Sequence, residues 1–121
     1  MIKKLILLVI VILIASVQFT YAHSPTGITA KYNPVTKELK VIVSHPVNKK
    51  YRHYVKKIEV SQDNKIIAEK SFVRQTSKIS EFTTFKLNDT ITNENITIKA
   101  YCNISGELEK TVSLNGAERK Q

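Results

Sequence analysis

The sequence is poor in the residues on which several common kinds of site depend. It has one cysteine, three glycines and no tryptophan among 121 residues. A single thiol, Cys102, excludes an internal disulfide and a paired-cysteine redox site. Three scattered glycines exclude a glycine-rich loop of the kind that cradles phosphate groups. With 42% hydrophobic and 24% charged residues, the composition is nonetheless that of a folded domain.

The N-terminus has the pattern of an export signal. A short basic start precedes the unbroken apolar run Leu5–Ala15, and the small residues Thr20 and Ala22 precede a suitable cleavage point. We therefore expect residues 1–22 to be removed, so that His23 becomes the first residue of a periplasmic or extracellular protein. The alternative is a retained membrane anchor, which is disfavoured because the run is short for a bilayer core about 30 Å thick. After cleavage, no stable membrane insertion is expected.

Positive charge is in excess, since 19 Lys and Arg residues against 10 Asp and Glu give a net charge of +9. Nucleic-acid binding is disfavoured because the chain contains no recognised nucleic-acid-binding motif and is expected to be exported. Lys49, Lys50 and Arg52 concentrate this charge in one short segment. The segment is either an ordinary solvated loop or a positive rim that attracts a small anion.

Residues 23–121 have the pattern of a single domain made of strands and turns. The predicted strands are Ile28–Tyr32, Leu39–Val43, His53–Gln62, Lys65–Val73, one strand around Phe82 and Phe85, Ile96–Cys102 and Glu107–Leu114. In the third of these, Tyr54, Ile58 and Val60 are expected on one face. About seven strands at intervals of roughly 8–12 residues, without an amphipathic helix, predict an all-β, immunoglobulin-like β-sandwich.

Two potential metal ligands extend the inward-facing pattern of two predicted strands. His45 continues the alternation of Leu39–Val43, and Cys102 continues that of Ile96–Ala100, each at a strand end. An imidazole and a thiolate at one edge of a sandwich suit iron, copper or zinc rather than magnesium or calcium. A structural role stays open, because most free cysteines are small buried hydrophobic residues.

Four short motifs place these residues in a recognisable order: His23-Ser24-Pro25, His45-Pro46-Val47, His53-Tyr54-Val55 and Ala100-Tyr101-Cys102-Asn103. The order resembles that of the superoxide reductase family, which includes desulfoferrodoxin and neelaredoxin, and the resemblance extends to about Lys110. In that family an immunoglobulin-like domain holds one non-haem iron through four equatorial histidines and an axial cysteine thiolate, with a sixth position for superoxide.

The resemblance implies a metal-ligand set and a set of catalytic groups. The implied metal ligands are His23, His45, His53 and Cys102. Cys102 would also act in catalysis as the axial thiolate. The charge of the basic segment, rather than the resemblance, suggests that Lys49 and Lys50 attract superoxide.

The sequence departs from the family pattern at the fourth histidine. Ser105 stands where that histidine is expected, two residues after Asn103. A serine hydroxyl is a poor ligand for iron, so one coordination position would be open, filled by water or filled by another group. The separation of His45 and His53 is also longer than usual in the family, and the four cysteines of a second, rubredoxin-like iron centre are absent.

Three functions from different classes remain. The first is an exported mononuclear-iron protein that reduces superoxide to hydrogen peroxide with electrons from an unidentified donor. The second is a copper or iron carrier without turnover, in which the amine and imidazole of a newly exposed His23 would bind copper. The third is an interaction module similar to sulfur-oxidation carrier proteins, whose C-terminal GGCG motif is missing here. The first is preferred because every histidine and cysteine falls on a ligand position of one family site.

Overall fold

The computed structural model describes residues 2–7, 23–88, 91 and 94–114. Residues 2–7 are helical. The expected cleavage point after Ala22 and most of the apolar run lie outside the described residues. Within the described ranges, no helix has both the length and the hydrophobicity needed to cross a bilayer. Signal cleavage and export therefore stay predictions.

Seven strands form the described domain: β1 (Gly27–Asn33), β2 (Glu38–Ser44), β3 (Val55–Gln62), β4 (Lys65–Ser71), β5 (Ser80–Lys86), β6 (Asn95–Cys102) and β7 (Glu107–Ser113). They form two antiparallel sheets with strand orders β1-β2-β5 and β4-β3-β6-β7. The prediction of an all-β, immunoglobulin-like sandwich of about seven strands is confirmed.

The hydrophobic core lies between the two sheets. Along β2, buried and exposed residues alternate without interruption, as expected of a strand with one face on the core. The inward positions of β2 and β6 carry fully or almost fully buried side chains: Leu39, Val41, Val43, Ile96, Ile98 and Ala100. Burying one large aliphatic side chain contributes about 1.5–3 kcal/mol, so these two strands hold the sheets face to face.

The start of β3 differs from the sequence prediction. Val55 is fully buried, whereas Tyr54, which was expected on the inward face, is only half-buried. The pairing of β3 with β6 changes register between Val55 and Lys57. A bulge of this kind adds one residue to one strand and reverses which residues point inward. Alternation alone therefore assigned the wrong residue to the core.

Strand β4 is shorter than predicted. It ends at Ser71, so the expected continuation through Val73 does not occur, and Val73 is 84% exposed. The amide of Phe72 donates to the carbonyl of Lys56 at 2.8 Å, at the β3 bulge. The chain then leaves the sheet and enters the loop that leads to β5.

The turn between β6 and β7 allows the N-terminal segment to approach closely. Gly106 has a φ of +89°, a conformation that glycine adopts without the steric cost of a side chain. Its carbonyl accepts a hydrogen bond from the amide of Cys102 at 3.0 Å. A Cβ at Gly106 would overlap Ser24 Oγ and lie 3.1 Å from Ser24 Cα. The missing side chain thus lets the residue after His23 pack against this turn.

Replacing Gly106 by alanine should therefore destabilise the protein. We expect Gly106→Ala to lower the free energy of unfolding by about 1–3 kcal/mol, because it combines backbone strain with a clash against Ser24. Urea denaturation measures the change. Gly27→Ala is the matched control, since the nearest atom to a Cβ there is 3.8 Å away. Equal effects of the two substitutions would contradict this explanation.

Candidate metal centre

The candidate ligands lie at one end of the sandwich, where strand ends of both sheets meet. His45 directly follows β2, and Cys102 is the last residue of β6. Both side chains continue the inward face of their strand and are buried, with 1% and 3% of their surface exposed. The two sheets therefore place an imidazole and a thiol at the same end of the core.

His53 reaches this position from the loop before β3. The amides of Arg52 and His53 both donate to the carbonyl of Lys49, at 3.0 and 2.9 Å, which closes a tight turn. Two residues later, Val55 is paired with Cys102 in the sheet. As a result, Nε2 of His53 lies 3.1 Å from Sγ of Cys102.

Asn103 fixes the loop that carries His53. Its Oδ1 accepts from the amide of Tyr54 at 2.8 Å, and its Nδ2 donates to the carbonyl of Arg52 at 2.9 Å. Its own amide donates to the carbonyl of Tyr54 at 3.0 Å. The residues on both sides of His53 are thus tied to the residue after Cys102, which explains why an asparagine follows the cysteine.

One ligand atom from each of His45, His53 and Cys102 forms a group in which all three atoms lie within 4.8 Å of one another. The two imidazole rings are nearly perpendicular, with centroids 4.6 Å apart. Bonds of about 2.0–2.3 Å to a shared ion keep its ligands no more than about 4.6 Å apart, so the spacing is close to what one ion requires. Two nitrogens and a sulfur suit iron, copper or zinc. These residues could therefore hold a transition metal.

His23 contacts this group without supplying an atom to it. Its ring packs edge-on against His53 at 5.2 Å between centroids, and its carbonyl oxygen lies 2.8 Å from Nε2 of His45. In the described part of the chain, Nδ1 of His23 is buried and has no hydrogen-bond partner. Leaving a buried polar atom unpaired costs about 1–3 kcal/mol. Coordination would satisfy this nitrogen, so its placement fits a group that receives a metal.

Gln75 belongs to the site although the sequence does not reveal it. Its side chain is 1% exposed, and its Oε1 lies 2.7 Å from Nδ1 of His45. It stands in the loop between β4 and β5, flanked by the exposed residues Arg74 and Thr76. A glutamine among polar loop residues has the pattern of a solvated position, so no sequence signal could have identified it.

The electrostatic environment favours the neutral form of His53. Burial lowers the pKa of His53 below its usual value, and the neighbouring His45 lowers it further. A hydrogen bond with the backbone of His23 opposes this shift in part. Neutral imidazole is the form that binds a metal, so the lowered pKa keeps the nitrogen available at neutral pH.

The other predicted residues lie on the surface. Lys49 and Lys50 are exposed, and their backbone carbonyls accept from the amides of His53 and Gln75. Ser105 is exposed in the turn after β6. The expected roles of the two lysines in attracting an anion stay predictions.

Comparison with known proteins shows the fold. No protein-family model matches this chain, and no curated protein matches it in sequence. The structure of the superoxide reductase (1Fe-SOR) from Giardia intestinalis is similar with a TM-score of 0.55 and 17% identity, over 76% of this chain and 97% of that chain. The reduced superoxide reductase (neelaredoxin) from Archaeoglobus fulgidus gives a TM-score of 0.43 and 21% identity, over 76% of this chain and 90% of that chain. The chain therefore has a superoxide-reductase-like β-sandwich that contains a candidate His/His/Cys metal site.

Proposed function

We propose that the protein binds one iron ion through His45, His53 and Cys102 and reduces superoxide to hydrogen peroxide. The observation that carries the proposal is the group of two imidazole nitrogens and one thiol sulfur within 4.8 Å, at the end of the core. The likeness of the fold to the Giardia intestinalis superoxide reductase supports the choice of metal and substrate.

Each ligand has a distinct part in this proposal. The chemistry that iron supplies at such a site is transfer of one electron to superoxide, which takes two protons from water and leaves as hydrogen peroxide. Cys102, as a thiolate ligand, would increase electron density at the metal, as thiolate ligands do in haem proteins. His45 and His53 would supply imidazole nitrogens, and the buried Nδ1 of His23, which has no hydrogen-bond partner, is a candidate for a further ligand.

The charge of the protein suits an anionic substrate. The net charge is +9 for the whole chain and +7 once residues 1–22, which contain Lys3 and Lys4, are removed. Lys49, Lys50 and Arg52 are exposed in the loop that connects His45 with His53. Cations near a site raise the local concentration and association rate of a small anion such as superoxide. The proposal also includes removal of residues 1–22, action outside the cytoplasm and an electron donor of unidentified nature.

A second candidate function is binding and transfer of iron or copper without turnover. The observation in its favour is Ser105, which is exposed and stands where the related family supplies another histidine. A site with fewer imidazoles binds iron more loosely and leaves more positions open to water. Loose binding suits a carrier better than an enzyme that must retain its metal.

The proposed function predicts a specific response to restoring the missing imidazole. We expect wild-type protein to react with superoxide well below the diffusion limit of about 10⁹ M⁻¹s⁻¹. Ser105→His should raise iron retention and the rate constant together, because a neutral imidazole binds iron better than a hydroxyl does. Pulse radiolysis gives the rate, and elemental analysis after dialysis gives the retained iron.

Ile104→His is the matched control for that experiment. Ile104 is also exposed and adjoins Ser105, so this variant adds an imidazole at a neighbouring position. Equal gains in both variants would show that any nearby histidine suffices and would contradict a specific ligand position. If wild type and Ser105→His both bind iron but neither reacts with superoxide, the result would favour the second candidate function, a metal carrier.

A further inference from the structure

The side chain of Gln75 connects three segments that build the metal centre. Its Nε2 donates to the carbonyls of His45 at 2.7 Å and of Ser77 at 2.9 Å. Its Oε1 accepts from the amide of Val55 at 3.2 Å. In addition, the backbone amide of Gln75 donates to the carbonyl of Lys50 at 2.7 Å. The β4–β5 loop is thereby joined to the His45–His53 loop and to the first residue of β3.

These bonds fix which end of the Gln75 amide faces His45. The NH₂ group donates to two backbone carbonyls, whereas the oxygen accepts from a backbone amide. A reversed amide would place donor against donor and acceptor against acceptor. Oε1 is therefore the atom that faces Nδ1 of His45 at 2.7 Å.

The orientation of Gln75 determines where His45 carries its proton. An amide oxygen only accepts hydrogen bonds, so Nδ1 of His45 must donate to it. A neutral imidazole has one N–H group, which leaves Nε2 as a bare lone pair. The contact of Nε2 is with the carbonyl oxygen of His23, 2.8 Å away.

When the proton of His45 is on Nδ1, Nε2 and the carbonyl oxygen of His23 are both hydrogen-bond acceptors. Two lone pairs at 2.8 Å repel each other unless a proton or a cation that both can contact compensates the repulsion. Without Gln75, the neutral ring would place its proton on Nε2 and donate to His23. With Gln75, the proton is drawn to the opposite nitrogen and Nε2 is left for a metal.

We infer that Gln75 is a positioning residue that holds His45 as the Nδ1–H tautomer and so presents Nε2 to the metal. The inference rests on the metal centre of the proposed function. Hydrogen bonds of this type orient ligand imidazoles and raise their basicity, and their loss typically reduces metal affinity about 10- to 100-fold. Gln75 itself does not contact the metal or the substrate.

The first test determines the tautomer of His45 in metal-free protein. Nitrogen-15 NMR in mildly alkaline buffer distinguishes the protonated nitrogen from the bare nitrogen of each imidazole. We expect His45 to carry its proton on Nδ1 in wild type and on Nε2 in Gln75→Met, which keeps the side-chain volume and removes the amide. Protonation of Nε2 in wild-type protein, or no difference between the two proteins, would overturn the inference.

The second test measures zinc affinity by competition with a chromophoric chelator. Gln75→Met should weaken zinc binding about 10- to 100-fold. Gln75→Glu keeps an acceptor oxygen for Nδ1 but loses the donor to the carbonyls of His45 and Ser77. We therefore expect Gln75→Glu to unfold at a lower urea concentration than wild type. Its zinc affinity should stay within about threefold of wild type, a much smaller loss than the one expected for Gln75→Met.

Gln62→Met is the matched control, because Gln62 is a buried glutamine at the far end of β3. It should leave both zinc affinity and the tautomer of His45 unchanged. Equal losses of affinity in Gln75→Met and Gln75→Glu would assign Gln75 a structural role only and overturn the inference. If wild type binds no zinc, the proposed metal site fails, whereas the NMR comparison still decides the role of Gln75.

Discussion

The pairing of Val55 with Cys102 positions the whole candidate site. It places the last residue of β6 beside the first residue of β3, and so brings the thiol next to the loop that carries His53. The bulge at the start of β3 contributes to this arrangement, because it turns Val55 into the core. The loop that carries His53 therefore leads directly from the site into β3. His45 arrives from the opposite sheet on the inward face of β2. A metal bound there would lie between the two sheets and would connect them.

Polar side chains hold the loops that the strands cannot fix. Asn103 ties the loop around His53 to β6, and Gln75 ties the β4–β5 loop to His45. Gly106 lets the N-terminal segment lie against the β6–β7 turn, beside His23. Each of these contacts joins segments that are distant in sequence. Such support is what a metal or catalytic site needs if its ligands are to keep their geometry without the metal.

The features that could be predicted from the sequence are those that depend on local periodicity. Alternation predicted the strands and the inward placement of His45 and Cys102, which the structure confirms. The two-residue gap between the predicted strands His53–Gln62 and Lys65–Val73 is a tight hairpin in the structure, where Asp63 and Asn64 adopt positive φ angles of 51° and 63°. In each case the residues that decide the outcome are neighbours along the chain.

The features that could not be predicted depend on contacts between distant segments. The bulge that buries Val55 arises from pairing with β6 and leaves no mark on the sequence of β3. The burial of Gln75 requires the β4–β5 loop to fold over His45, which its polar neighbours do not indicate. The packing of Ser24 on Gly106 joins the two ends of the domain. Long-range contacts of this kind decide the surroundings of the ligands.

In the proposed metal centre, His45, His53 and Cys102 share one metal ion. X-ray absorption at the iron edge of protein loaded with one equivalent of ferrous iron tests it most directly. We expect one sulfur and at least two imidazole nitrogens in the shell of nearest neighbours, with the sulfur lost in Cys102→Ser. A shell of oxygen atoms alone, or one that is identical in wild type and Cys102→Ser, would contradict it.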